Sequence, residues 1–84
     1  MNTLRNIHFT LLIKINSRLR EFNFRKRSAE LYDSDTSDER GTRFQFKFVK
    51  RDGQWEIGTP GLPAWIMDHS AQIGKAVEEE DNKY

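Results

Sequence analysis

The chain has 84 residues, a net charge of +1 and no cysteine. A chain of this length corresponds to one small domain, and the lack of cysteine excludes a disulfide scaffold, a thiol nucleophile and a Cys-based zinc site. The apolar run at residues 7–13 is far shorter than the roughly 18–20 residues that cross a membrane. We therefore expect a single domain over residues 1–84, without membrane association and with a cytoplasmic location.

The charges are spread unevenly along the chain. Residues 1–27 carry a net charge of +6, residues 28–41 carry −4, residues 42–58 carry +2 and residues 59–84 carry −3. A basic first third and an acidic end can attract a charged partner. The same pattern also arises when neighbouring strands pair opposite charges.

Residues 9–24 predict a β-hairpin. Apolar side chains recur at every second position on both sides of Asn16-Ser17, which indicates two strands with one wet face. A two-residue turn at this point places Phe9 opposite Phe24, whereas a shift of one residue would place apolar opposite polar side chains. The apolar positions of this hairpin are Phe9, Leu11, Ile13, Ile15, Phe22 and Phe24.

The sequence YDSDTSDERG at residues 32–41 has two interpretations. An EF-hand calcium loop that begins at Asp33 needs glycine at its sixth position and glutamate at its twelfth. This chain has Asp38 and Phe44 there. We therefore predict a charged hairpin turn with a three-residue loop that ends in a left-handed Gly41. A weak, adventitious cation site in the acidic turn is the alternative.

Two further strands are predicted after the acidic turn. Phenylalanines alternate with polar residues at positions 43–48, and Asp52-Gly53 is a strong signal for a two-residue turn because both positions tolerate positive φ. Asp33 and Asp35 then point to the face opposite the phenylalanines, where basic side chains of neighbouring strands can meet them. The predicted cross-strand pairs are Tyr32–Phe48, Ser34–Phe46, Thr36–Phe44, Lys50–Trp55 and Phe48–Ile57.

The last element is predicted to be a helix. Pro63 suits its first turn, where the missing N–H costs nothing. Because the acids at residues 78–81 would meet the negative end of the helix dipole, we expect the helix to end near Val77. Residues 78–84 would then form an acidic flexible tail beside a core of about residues 7–77. The apolar stripe of the helix consists of Leu62, Ile66, His69, Ile73 and Ala76 or Val77.

These elements predict an α+β fold, in which an antiparallel meander of four to five strands carries one C-terminal helix packed on one face. Five strands at a spacing of about 4.8 Å make a sheet roughly 24 Å wide, and a helix about 10 Å across covers about half of it. We therefore expect Leu11, Ile13 and Ile15 to remain uncovered. A second copy of the chain is the simplest way to bury them.

The sequence does not indicate catalysis. His8 falls on the wet face of the first strand and His69 lies in the helix stripe, and no second ligand or nucleophile with recognisable spacing accompanies either of them. The glycines are too scattered for a phosphate-binding loop. We therefore predict that the protein is not an enzyme and that it holds no cofactor and no metal.

Two segments, residues 18–27 and 43–51, interleave basic and aromatic residues as the platforms that bind single-stranded nucleic acid do. The order of several antiparallel strands and one helix also resembles the repeat of the Pur-alpha and whirly single-strand-binding proteins, which implies the same activity. Against this, the phenylalanines share the face that the helix must cover, and nearby acids partly cancel the attraction to phosphate. The candidate phosphate-binding residues are Arg18, Arg20, Arg25, Lys26, Arg27 and Lys47.

Taken together, the residues favour a small non-enzymatic module for macromolecular interaction or dimerisation. We expect a homodimer that binds an unknown protein partner through the partly uncovered sheet or through an edge strand. Binding of single-stranded nucleic acid is the alternative function.

Overall fold

The computed structural model describes residues 7–83, which form a curled five-stranded antiparallel sheet followed by a C-terminal helix. The strands follow one another across the sheet in chain order, so the predicted α+β meander is confirmed. Residues 1–6 and 84 of the predicted domain lie outside the described residues. The strands are β1 (His8–Ile15), β2 (Arg18–Ser28), β3 (Leu31–Ser37), β4 (Arg43–Arg51) and β5 (Gln54–Ile57).

The predicted turns and registers are confirmed. Asn16 and Ser17 both have positive φ, at 53° and 68°, and so do Asp52 and Gly53, at 51° and 79°. Two positive φ values in a two-residue loop give the turn whose twist matches that of the flanking strands. The structure pairs Phe9 with Phe24, Leu11 with Phe22, Tyr32 with Phe48, Ser34 with Phe46, Thr36 with Phe44, Lys50 with Trp55 and Phe48 with Ile57.

The loop between β3 and β4 is the predicted three-residue loop. The Asp38 N–H donates to the Thr42 carbonyl over 3.0 Å, and Gly41 has a φ of +86°, which favours glycine. The Asp38 carboxylate accepts hydrogen bonds from the backbone N–H groups of Arg40 and Thr42, both at 2.9 Å. Asp38 is thus used to close the turn.

The face of the sheet that carries the aromatic rings, here called the inner face, is covered. Phe22, Phe24 and Phe48 are at most 1% exposed. The Phe24 ring meets Tyr32 and Phe48 edge to face and stacks on Phe22, with centroids 6.0–6.4 Å apart, and these are arrangements that aromatic pairs prefer. The prediction that the phenylalanines lie on one buried side of the sheet is confirmed.

The helical segment consists of two pieces, α1 (Ala64–Met67) and α2 (Ser70–Asp81). Pro63 directly precedes α1, and Ile66, Ile73 and Val77 are fully buried against the inner face. Helix α2 lies very close to β5, because a Cβ on Gly74 would be 2.4 Å from the Trp55 carbonyl oxygen. Within residues 7–83, neither helical segment is long and apolar enough to cross a membrane.

The expectation that Leu11, Ile13 and Ile15 remain uncovered is wrong for the two isoleucines, whereas Leu11 is half-buried. Ile13 and Ile15 are only 5% and 2% exposed. Helix α2 reaches both edges of the curled sheet, since Gly74 packs against β5 and the Gln72 side chain donates a 2.7 Å hydrogen bond to the Lys14 carbonyl of β1. The calculated width assumed a flat sheet, whereas twist and curvature bring the two edges closer together.

The predicted end of the helix is also wrong. Helix α2 continues to Asp81, four residues beyond Val77. The Asp81 carboxylate accepts hydrogen bonds from Lys26 at 2.5 Å and from the Tyr32 hydroxyl at 2.6 Å. These contacts to the sheet offset the unfavourable helix dipole, which a prediction based on the helix alone could not include. The flexibility of residues 78–84 stays a prediction.

Candidate functional site

The face of the sheet opposite the helix, here called the outer face, carries a row of polar side chains across four strands. The Thr10 hydroxyl donates to the Asn23 side-chain oxygen at 2.6 Å, and the Asn23 amide donates to Asp35 at 2.9 Å. Arg43 donates to the same Asp35 oxygen at 2.5 Å. Thr10, Asn23 and Asp35 stand opposite one another on neighbouring strands, and Arg43 is the diagonal neighbour of Asp35 on β4. The strand register therefore brings these side chains together.

A second polar cluster on the outer face is centred on Asp33. Lys47 donates to one of its carboxylate oxygens at 2.9 Å and Arg27 donates to the other at 2.5 Å. The pKa of Asp33 lies below its ordinary value, first because of the hydrogen bond from Lys47 and then because of the one from Arg27. Asp33 and Asp35 therefore meet cationic side chains, as the hairpin interpretation predicted.

The two polar clusters border a groove of about 630 Å³ on the outer face. Besides residues of the clusters, the lining of the groove includes His8, Arg25, Gln45 and Thr59. Arg25 is exposed, and among residues 7–83 it has no ion-pair or hydrogen-bond partner for its side chain. The groove could thus contact an anionic group, although the paired carboxylates reduce its positive charge.

The six candidate phosphate-binding residues lie on two opposite faces of the sheet. Three of them reach the outer face, where Arg27 follows Arg25 by the ordinary two-residue alternation of β2 and contacts Asp33. The other three lie at the rim of the inner face. The outer three are Arg25, Arg27 and Lys47, and the inner three are Arg18, Arg20 and Lys26.

The three residues at the inner rim all contact acids. Arg18 and Arg20 form ion pairs with Glu39, and the Arg20 guanidinium also lies 5.1 Å from the centroid of the Trp65 ring. Lys26 donates to Asp81. Arg18 and Arg20 therefore tie β2 to the β3–β4 loop, and Arg20 also ties it to the helical segment.

The two histidines occupy different surroundings. The Nδ1 atom of His69 lies 3.0 Å from the Trp65 carbonyl oxygen, so this ring is hydrogen-bonded within the helical segment. His8 is exposed on the outer face. In the part of the chain that the structure describes, no group of three or more His, Cys, Asp or Glu side chains is arranged to hold a metal ion.

Sequence reasoning missed an apolar pair on the outer face. Leu12 and Leu19 are 64% and 65% exposed, the highest values among the large apolar residues in the described range. Leu12 stands opposite Glu21, and Leu19 stands opposite Lys14. The alternation of the hairpin already places both leucines with the polar residues, so the strand parity was the signal that could have found them. Leu12 and Leu19 are called the leucine patch below.

These features define an α+β domain with an aromatic inner face closed by a helix and a mostly polar outer face, on which Leu12 and Leu19 are exposed and the apolar pair Leu31 and Val49 is half-buried. No family model, no curated protein and no solved structure matches this chain.

Proposed function

We propose that this protein is a non-enzymatic interaction module that self-associates through the leucine patch on the outer face of the β1–β2 hairpin. The exposure of Leu12 and Leu19 on one face is the observation that carries the proposal. Scattered single leucines are normal on protein surfaces, but these two are diagonal neighbours on adjacent strands. Their burial in a second copy would remove apolar surface from water.

We propose the outer face for this contact, and not the inner face that the sequence indicated. The inner face cannot serve, because Ile13 and Ile15 are already buried within one chain. Leu12 and Leu19 lie on the other side of the same two strands. A patch centred on two leucines is smaller than the about 800 Å² per partner that stable complexes bury. The homodimer should therefore be weak and should form only as the protein concentration rises.

Sedimentation of the intact chain over a wide concentration range tests this proposal. The wild-type mass should rise from monomer towards dimer, and the double variant Leu12→Thr/Leu19→Thr should stay monomeric, because threonine suits a strand but removes apolar surface. Met67→Gln is the matched control, since Met67 is 39% exposed on α1, away from the patch. A wild-type chain that is monomeric throughout, or a double variant that dimerises like wild type, would contradict the proposal.

A second candidate function is the binding of single-stranded nucleic acid in the outer groove. It is favoured by one observation, the presence of Arg25, Arg27 and Lys47 in the lining of the same groove. The covered aromatic rings disfavour it, because they cannot stack on bases. A salt-dependent shift of a labelled single-stranded oligonucleotide that Arg25→Ala weakens and Arg18→Ala does not would support it. An absence of binding at low salt would remove it.

A further inference from the structure

The leucine patch is part of a square of four side chains on the outer face of β1 and β2. Leu12 stands opposite Glu21 and Lys14 stands opposite Leu19, and all four residues are exposed. Positions two apart on one strand point to the same face, so the four side chains form a two-by-two array. The leucines occupy one diagonal of the array, and the opposite charges occupy the other.

The two charges of this array are unpaired, in contrast to the carboxylates farther along the outer face. Within residues 7–83, neither the Lys14 ammonium nor the Glu21 carboxylate takes part in an ion pair or a side-chain hydrogen bond. Asp33 and Asp35, by comparison, both contact cationic side chains. The square thus presents one positive and one negative group that a facing surface could match.

We propose that two copies pack face to face about a two-fold axis along the Leu12–Leu19 diagonal, so that Lys14 of each copy meets Glu21 of the other. This proposal rests on the proposed self-association and adds its geometry. Rotation about this diagonal lays each leucine on its own equivalent and exchanges the two charged corners. The contact is then isologous, as expected for a symmetric dimer.

The other symmetric arrangements of the same square are less favourable. A two-fold axis along the Lys14–Glu21 diagonal would place lysine on lysine and glutamate on glutamate, and like charges in contact oppose association. An axis parallel or perpendicular to the strands would place leucines on charged groups, which costs desolvation without a partner. Only the leucine diagonal matches apolar with apolar and positive with negative.

This axis also fixes how the two sheets cross. Two residues along a strand span about 6.8 Å and adjacent strands lie about 4.8 Å apart, so the diagonal makes an angle of roughly 35° with the strands. Rotation about the diagonal doubles that angle, and the strands of the two copies should cross at roughly 70°, which is close to the orthogonal class of sheet packing.

Charge reversal in the intact chain tests the geometry. Lys14→Glu and Glu21→Lys each place like charges opposite one another at both symmetric positions, so each should weaken the dimer by roughly tenfold. The double variant Lys14→Glu/Glu21→Lys should restore wild-type association. An equimolar mixture of the two single variants should also form a mixed dimer, because every charged contact in it is attractive. Sedimentation at low ionic strength measures all four samples.

Two exposed residues on α2 supply matched controls. Lys75→Glu and Glu79→Lys make the same changes in net charge, but α2 covers the inner face, so neither should alter the dimer. Single reversals that act no differently from these controls would overturn the geometry, even if Leu12→Thr/Leu19→Thr abolishes the dimer. A wild-type chain that never dimerises would overturn the geometry together with the proposed self-association.

Discussion

The two faces of the sheet are built in different ways from the same strands. The inner face holds Phe22, Phe24 and Phe48 in stacked and edge-to-face contacts beneath α2, with almost no exposure to water. The outer face holds rows of hydrogen-bonded polar side chains in which most charges have a partner. Strand alternation separates the two sets, because the registers of β1 with β2 and of β3 with β4 pair inner positions with inner and outer positions with outer ones.

The two faces differ in how much they contribute to the folding free energy. Full burial of an aromatic or aliphatic side chain contributes about 1.5–3 kcal/mol, whereas an exposed ion pair contributes about 0–1 kcal/mol. The inner face therefore supplies most of the folding free energy. Substitutions on the outer face should leave the fold intact, which makes that face the suitable place for a partner and for the tests of self-association.

Removal of one inner ring should have the largest effect on stability. Phe24 is 1% exposed and its ring lies 5.5–6.4 Å from the rings of Phe9, Tyr32, Phe48 and Phe22. Phe24→Ala should lower the free energy of unfolding by about 3–5 kcal/mol, because it leaves a cavity among these rings. Urea denaturation measures the loss, and Phe24→Leu serves as a milder variant if the alanine variant does not fold.

The matched substitution on the outer face is Leu19→Ala. Leu19 is 65% exposed, so the loss for this variant should be within about 0.5 kcal/mol when the protein is dilute enough to be monomeric. Equal losses for Phe24→Ala and Leu19→Ala would remove the distinction between the faces.

A methyl group on Gly74 should have the next largest effect. In an exposed helix, Gly→Ala stabilises by about 1 kcal/mol. Here the added Cβ would lie 2.4 Å from the Trp55 carbonyl oxygen, which belongs to the backbone of β5 and cannot rotate away. Gly74→Ala should therefore destabilise the protein by about 1–3 kcal/mol. A gain in thermal stability would show that α2 does not approach β5 so closely.

The contact at Gly74 also shows where sequence reasoning stops. The strand registers could be predicted because turn residues and alternation are local, and both Asn16-Ser17 and Asp52-Gly53 carry that information in adjacent residues. The curl of the sheet could not be predicted, because it depends on how α2 fits between β1 and β5. The expectation that Ile13 and Ile15 remain uncovered was wrong for this reason.

The candidate site, too, could be predicted only where the local sequence determines it. Parity correctly placed Asp33 and Asp35 on the outer face together with Lys47 and Arg43. The ion pair of Lys26 with Asp81 spans more than fifty positions of sequence, and nothing local indicates it. The leucine patch was missed although parity contains it, because only the apolar positions that share the inner face were used to predict a contact surface.

Asp81 lies at the rim of the inner face, in contact with Lys26 and Tyr32, and should have an intermediate effect. Burial alone would raise its pKa, but the hydrogen bonds from Lys26 and Tyr32 outweigh burial, and the pKa of Asp81 lies below its ordinary value. Asp81→Asn should cost about 1–3 kcal/mol near neutral pH, because it weakens two hydrogen bonds to a charged group. Glu79→Gln is the matched control, since Glu79 is exposed on the same helix.

The pH dependence of the Asp81 variant has a definite sign. A carboxylate with a lowered folded-state pKa stabilises the protein fully above its ordinary pKa of 3.8 and loses that contribution as the pH falls through the folded-state value. The stability difference between wild type and Asp81→Asn should therefore shrink as the pH falls below about 5. Denaturation curves from pH 7 to pH 3 measure it, and a difference that grows towards acid pH would contradict the assignment.

The smallest effect is expected on the outer face, at Lys47. Its side chain is 60% exposed, and Asp33 keeps a second partner, Arg27, when Lys47 is replaced. Lys47→Met should therefore cost less than about 1 kcal/mol, and added salt should reduce the loss further. The pKa of Asp33 should rise towards its ordinary value, because its largest lowering contact is removed. A carboxyl NMR titration follows that pKa directly. A contrary result would be a loss of stability in Lys47→Met as large as that in Gly74→Ala, with no reduction by salt. The polar side chains of the outer face would then contribute to folding as the inner rings do, and this face could not be assigned to partner binding only.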